Sequence, residues 1–220
     1  MTRAVVFDLW QTLAAWPEER SATLRRDWSA SLGVEAELLG ELWYESELYR
    51  LRETGPIRPA VRRLYELLGV DRSVEEILEL RRALTLESLV PVDGALATVD
   101  ELRRRGVRVG LVSNCTEEVA LVWEETPFAG CFDVAVFSAT AGCMKPERRI
   151  YELALEGLGV AAQEALFVGD GANDELEGAR RVGMTPVLVH PEGQGPHWPE
   201  LTGWEGLRVT SISQVLALVT

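Results

Sequence analysis

Leu166-Phe167-Val168-Gly169-Asp170-Gly171-Ala172-Asn173-Asp174 sets an apolar run directly before a carboxylate, a glycine turn and a second carboxylate. Such a run reads as a buried strand that delivers its acidic residues to a turn. The same pattern recurs outward from it. Ala4-Val5-Val6-Phe7 runs into Asp8, and Val107 to Val112 runs into Ser113-Asn114. Between these lies Gly142-Cys143-Met144-Lys145-Pro146, a loop that carries the only lysine of the chain. All 21 other cationic residues are arginine, so a position that keeps a lysine points to a need for a compact ammonium. Strand ends thus offer Asp8, Ser113, Asp170 and Asp174, and a loop offers Lys145. In open α/β sheets the carboxyl ends of the strands are where ligands bind.

The rest of the chain fits around these runs. From Val90-Pro91-Val92-Asp93-Gly94 onward, strands and helices alternate. Helices are predicted over 95–105, 117–126, 148–158 and 174–182, with strands over 107–113, 134–137, 165–169 and 185–189. A loop over 190–206, a strand near 207–210 and a helix over 212–219 complete the sequence. Short apolar strands alternating with helices predict an α/β fold, a Rossmann-like parallel sheet with helices on both faces. Strand 4–8 should join that sheet. Between about Pro17 and Leu89 the periodicity is helical throughout: Leu38, Leu39, Leu42 and Leu48, then Val61, Leu64, Leu67 and Leu68, then Ile77, Leu78, Leu80 and Leu84. Three or four helices are expected there, packed as an inserted bundle. The expected division is a core of residues 1–14 and 90–220 with a helical unit over 15–89.

Bulk properties narrow the function classes. The chain has 220 residues, long enough for one core and a small accessory unit. Its net charge of −13 argues against nucleic acid as a partner, because phosphate-backbone binding needs a basic stripe. The arginine clusters (62–63, 81–82, 103–105) fall on polar helix sides and read as solvated faces. Three cysteines, Cys115, Cys131 and Cys143, are too few and too scattered for a disulfide framework. No stretch has the length of a membrane span, and no signal peptide is visible, so a cytoplasmic protein without a membrane partner is expected.

With those residues in view, the chain resembles the haloacid dehalogenase-like hydrolases. Four ordered motifs carry the resemblance: Asp8-Leu9-Trp10-Gln11-Thr12-Leu13, Ser113-Asn114, Lys145-Pro146, and Gly169-Asp170-Gly171-Ala172-Asn173-Asp174 followed by Gly178-Ala179. The helical insertion resembles the cap that members carry after the first motif. Converging Asp8, Asp170 and Asp174 would repel one another by roughly 4 kcal/mol per pair near 4 Å at an effective dielectric of 20, so they call for a cation. With no histidine or thiolate ligand set beside them, a hard oxygen site for Mg²⁺ fits best. The resemblance then implies roles. Asp8 is the nucleophile that takes up a phosphoryl group, and Ser113 and Lys145 join it as catalytic residues. Ser113, Asn114, Lys145 and Trp10 contact the phosphorylated small-molecule substrate. Asp8, the Trp10 backbone carbonyl, Asp170 and Asp174 hold the metal. A monomer or homodimer is expected.

Trp10 departs from the pattern. Phosphatases of this family place a second aspartate two residues after the nucleophile, where it protonates the leaving group and then activates water. Trp10 keeps the backbone carbonyl and lacks the acid. Positioned proton transfer contributes about 10²–10⁴ in rate, so poor leaving groups should suffer most. Gln11 likewise stands where the motif has glycine. Two branches of the family also lack the second aspartate. Dehalogenases carry tyrosine there and use no metal; they share the Lys145-to-Tyr151 spacing but lack the acid that Asp170 supplies. Phosphonate hydrolases carry alanine and use a cap lysine, which this chain does not have. The leading expectation is a Mg²⁺-dependent phosphatase of a small metabolite. A metal-independent 2-haloacid dehalogenase and a catalytically weakened ligand-binding member are the alternatives. Specificity is expected from Trp16, Trp43, Tyr44 and Arg50, while Tyr151, Cys115 and Cys143 are read as packing residues and His190 and His197 as loop residues without a role.

Overall fold

Strand β1 (Ala4–Phe7) is followed by five helices before the chain returns to strand structure: α1 (Glu18–Leu32), α2 (Ala36–Trp43), α3 (Ser46–Glu53), α4 (Ile57–Leu68) and α5 (Glu75–Ser88). Then come α6 (Ala95–Arg104), β2 (Arg108–Ser113), α7 (Glu117–Val122), β3 (Val134–Phe137), α8 (Ser138–Ala141), α9 (Arg148–Leu158), β4 (Ala165–Gly169), α10 (Glu175–Val182), β5 (Thr185–Val189) and β6 (Leu207–Val209). The structure is a computed structural model that describes residues 1–190 and 198–219. His197 lies outside the described residues. No helix among them is long and apolar enough to cross a membrane.

The six strands form one sheet in the order β3-β2-β1-β4-β5-β6, every neighbouring pair parallel. Both faces are covered, which is why the central strands are apolar at every position rather than at alternate ones. Val5 and Phe7 point to one side with Val99, Leu102 and Val119 of α6 and α7. Ala4 and Val6 point to the other, against Ile150, Ala154, Leu158 and Ala179 of α9 and α10. Each fully buried large side chain in these layers contributes about 1.5–3 kcal/mol of hydrophobic stabilisation. In the register between β1 and β4, Phe7 faces Val168, so the next residues, Asp8 and Gly169, are level at the sheet edge. The Asp8 amide extends that ladder by donating to the Val168 carbonyl at 2.9 Å.

The helical insertion has its own core of Trp28, Leu39, Trp43, Leu64 and Ile77. It contains five helices where three or four were expected. Gly33, with φ 70°, ends α1, and Glu45, extended at φ −61° and ψ 143°, divides α2 from α3 while its side chain caps the Glu47 amide. Leu38 to Leu48 therefore spans two helices.

Other segments differ from the expectation. Predicted helix 117–126 is α7 closed by a 3₁₀ turn, Trp123–Glu125. Predicted helix 212–219 is a 3₁₀ segment, Ile212–Ala217, because Gln214 exchanges hydrogen bonds with the amide and hydroxyl of Thr210. Side chains bonding locally in this way compete with helical turns. The 190–206 loop contains a 3₁₀ turn, Pro199–Gly203.

Candidate active site

Asp8 follows β1, Asp170 follows β4 and Ser113 ends β2, so three adjacent strands bring these residues to one edge. Lys145 reaches the same point from the loop after α8. Its Nζ donates to Asp8 Oδ1, and to Glu175 Oε2 at 2.5 Å. Ligand oxygens of Asp8, Asp170 and Glu175 lie within 4.8 Å of one another, and all three residues are buried. Lys145 itself is 2 % exposed.

Glu175, not Asp174, is thus the second acid of the last motif. Asp174 points outward, 61 % exposed, and pairs with Arg181 at 3.4 Å. The cause is the backbone. Asn173 (φ 51°) and Asp174 (φ 57°) both adopt left-handed conformations, which turn Asp174 away from the sheet and start α10 at Glu175. Glu175 falls at i, i+4 and i+7 with the buried Ala179 and Val182, so the helical period already assigns it to the inward stripe. Gly169 makes the room: a Cβ there would collide with the Glu175 carboxylate. Gly171 N donates to Glu175 Oε1 at 2.9 Å, and the Tyr151 hydroxyl donates to the Glu175 carbonyl at 2.8 Å. Tyr151 is therefore a packing and positioning residue.

The second strand end plays a different part from the one expected. Asn114 Nδ2 donates to the Lys145 carbonyl at 3.0 Å, and the Lys145 amide donates to Asn114 Oδ1 at 2.7 Å. Both ends of the Asn114 amide are spent on holding the Lys145 loop, whose Lys145–Pro146 peptide is cis. Ser113 is fully buried; its hydroxyl donates to the Asn114 carbonyl at 3.4 Å and does not reach the cavity wall. Gln11, at φ 61°, takes the conformation that glycine adopts freely, a position costing a non-glycine residue of order 1 kcal/mol or more.

The electrostatics of the cluster are those of buried like charges. Burial pushes the Asp8 carboxyl above its ordinary range, Lys145 opposes this, and Asp170 adds to it. Burial, Asp8 and Asp170 push Glu175 up to about 8 against the pull of Lys145. Burial works against the Lys145 ammonium, but Asp8 and Glu175 outweigh it and hold its pKa above the usual lysine value. When fully ionised, three carboxylates and one ammonium leave two negative charges, which one divalent cation balances. No hydrogen bond among the described residues ends on the Trp10 carbonyl, so it remains open as a further oxygen ligand. The donor set fits a hard cation.

Above the cluster is a cavity of about 420 Å³. Asp8, Lys145 and Asp170 form its floor, and Trp16, Trp43 and Tyr49 come from the insertion side. Trp10 lines it too, edge-on to Trp16 at a centroid separation of 5.3 Å. Arg50 does not: it is exposed and pairs with Glu147 at 2.7 Å, tying the insertion to the core. Trp198 is a site residue that no periodicity or motif announced. Its indole N–H donates to Asp170 Oδ2 at 3.0 Å from 28 residues away, while the Ala172 amide donates to Oδ1. The thiols of Cys115 and Cys143 are pushed up by burial, consistent with filler roles.

Comparison with known proteins agrees with this geometry. A family profile described as haloacid dehalogenase-like hydrolase matches residues 2–183. The chain is 31% identical over 205 residues to glyceraldehyde 3-phosphate phosphatase of Methanopyrus kandleri, covering 86% of this chain and 84% of that protein. Among solved structures, a HAD phosphatase from Thermococcus onnurineus superposes with a TM-score of 0.72 at 23% identity, covering 100% of this chain and 98% of that one. A 2-haloacid dehalogenase from Pseudomonas syringae superposes with the same TM-score at 22% identity and the same coverage, and both likenesses speak to the fold. The chain belongs to the haloacid dehalogenase-like hydrolase family.

Proposed function

We propose that this protein is a Mg²⁺-dependent phosphatase of a small phosphorylated metabolite, working through a phosphoryl group carried on Asp8. One observation supports it above the rest. A buried lysine bridges two of three clustered carboxylates at the floor of a cavity, and the cluster when ionised carries two negative charges more than that lysine balances. Such a cluster suits a divalent cation. Asp8, Asp170, Glu175 and the Trp10 carbonyl would hold it. Once bound, that cation supplies charge neutralisation for the transferring phosphoryl group. In this reading residues 15–89 are a cap over a core made of 1–14 and 90–220.

The chain's own residues then have defined tasks. Lys145 holds Asp8 Oδ1, which leaves Oδ2 to attack phosphorus and form the acyl phosphate. The Lys145 ammonium stabilises negative charge gathering on the phosphoryl oxygens. Asn114 fixes the Lys145 loop. The cap closes the cavity over the leaving group and limits water. The named phosphatase relative supports phosphate-ester chemistry.

The test is release of p-nitrophenol from its phosphate ester with and without Mg²⁺. Metal-dependent release, lost in Asp8→Asn, is expected. Halide release from 2-haloacids without metal, and no phosphate release, would replace this reading with dehalogenation.

A further inference from the structure

Trp10 leaves the proposed reaction without a carboxyl to protonate the leaving oxygen. The direction from which a proton must come is nevertheless fixed. In phosphoryl transfer the attacking and leaving oxygens are roughly in line across phosphorus. With Asp8 on the cavity floor, the leaving oxygen points up into the cavity, toward the inserted helices. The donor therefore has to line that cavity and face Asp8 from above.

Among the described residues, three carboxyl groups line the cavity: Asp8, Asp170 and Glu53. Asp8 is the nucleophile. Asp170 lies beside it on the floor, with N–H donors on both oxygens. Glu53, the last residue of α3, remains. It is 6 % exposed, and its Oε1 accepts from Arg52 Nε at 3.3 Å. No hydrogen bond among the described residues ends on Oε2. The cluster around it is anchored over the loop that leaves β2. Arg81 of α5 donates to Glu118 Oε1 at 2.6 Å and to Thr116 Oγ1 at 3.5 Å.

The charged groups facing Glu53 come from three helices: Arg52 from its own, Arg81 from α5 and Glu118 from α7. Burial raises the Glu53 carboxyl above its ordinary range, Glu118 adds to this, and the two arginines oppose it. A general acid works best with a pKa near the operating pH. Other proton carriers in the cavity hold their protons too tightly or are already paired. Burial pushes the Tyr49 phenol up to about 12 and raises the Cys115 thiol as well, and Lys145 is locked between Asp8 and Glu175.

We propose that Glu53 is the acid–base residue of this enzyme, delivered by the inserted helices in place of the carboxyl that Trp10 lacks. In the first half-reaction Asp8 Oδ2 bonds to phosphorus, the bond from phosphorus to the leaving oxygen breaks, and Glu53 gives that oxygen its proton. In the second, the Glu53 carboxylate takes a proton from water as the water oxygen attacks phosphorus. The bond from phosphorus to Asp8 breaks, inorganic phosphate leaves, and protonated Glu53 and ionised Asp8 are restored. This inference rests on the phosphatase reading above.

The experiment compares an alkyl and an aryl phosphate ester, with Mg²⁺, in the wild type, Glu53→Gln and the double variant Trp10→Asp/Glu53→Gln. Because kcat/KM reports only steps through formation of the Asp8 ester, an aryl oxide that departs unaided should be cut with kcat/KM changed less than about threefold in Glu53→Gln, whereas the alkyl ester should lose about 100-fold or more. Aryl kcat should fall while phosphorylated enzyme accumulates, because the second step loses its base. The double variant should recover alkyl activity. In the wild type, alkyl kcat/KM should decline on the basic side of its pH profile as Glu53 loses its proton, and the aryl profile should not. That comparison decides the matter even if Glu53→Gln does not fold. Equal losses on both esters, no loss on either, or identical pH profiles would overturn the role of Glu53 while leaving the phosphatase reading intact. A wild type inert toward both esters would overturn both.

Discussion

Asp174 and Glu175 are adjacent acids with opposite fates. One is solvated beside an arginine; the other is sealed against Lys145 and 0 % exposed. Asp174→Asn should leave Mg²⁺ affinity within about twofold, because its charge is exposed and screened. Glu175→Gln should weaken Mg²⁺ binding at least about 10-fold, because it removes a proposed ligand carboxylate and losing even a group that only orients ligands costs about that much. Calorimetric titration of the two variants distinguishes them. Equal effects would mean that the left-handed turn at Asn173 and Asp174 does not persist in solution.

The loop carrying Lys145 is held as a unit. Asn114 clamps its backbone from β2, and Gly178 of α10 admits both Pro146 and the Tyr151 hydroxyl, where a Cβ would collide. Asn114→Ala removes both clamping bonds and leaves buried partners unmet, a cost of about 1–3 kcal/mol. A misplaced ammonium should also lower kcat by up to about 100-fold, since a shift of 1 Å in catalytic geometry can cost that much. Urea unfolding and steady-state kinetics read the two effects separately. Lost stability with unchanged kcat would show that the loop keeps its shape without Asn114.

The elements themselves were largely legible. Strands covered on both faces must be apolar throughout, and the runs ending in Asp8, Ser113 and Asp170 could be read from that alone. What escaped was decided by backbone or by long-range contact. Asparagine and aspartate tolerate left-handed backbone but do not require it, so the local pattern offers Asp174, and only the stripe Glu175, Ala179, Val182 points to the inward acid. Trp198 reaches Asp170 through the fold, and Asn114 spends its amide on a loop 31 residues away; neither pairing has a sequence period.

At the scale of the whole molecule, the buried cluster couples stability to pH and to metal. Asp8 and Glu175 have folded-state pKa values raised above their unfolded values, with Glu175 at about 8. Between about pH 4.5 and 8 the metal-free folded protein binds more protons than the unfolded chain, so its stability falls as pH rises through that window. A cation that binds the ionised cluster reverses this loss. The rise in Tm caused by a fixed Mg²⁺ concentration should therefore grow between about pH 5.5 and 8, with protons released on binding. A shift that shrinks with pH would contradict the assignment of this cluster as the metal site. The most direct test of the whole account is covalent. The protein is mixed with an aryl phosphate and Mg²⁺, quenched with acid in the first turnover, and digested, and the peptide containing Asp8 is weighed by mass spectrometry. A single phosphoryl group on Asp8, absent in Asp8→Asn, is the predicted result; phosphate release with Asp8 unmodified, and undiminished in Asp8→Asn, would contradict it.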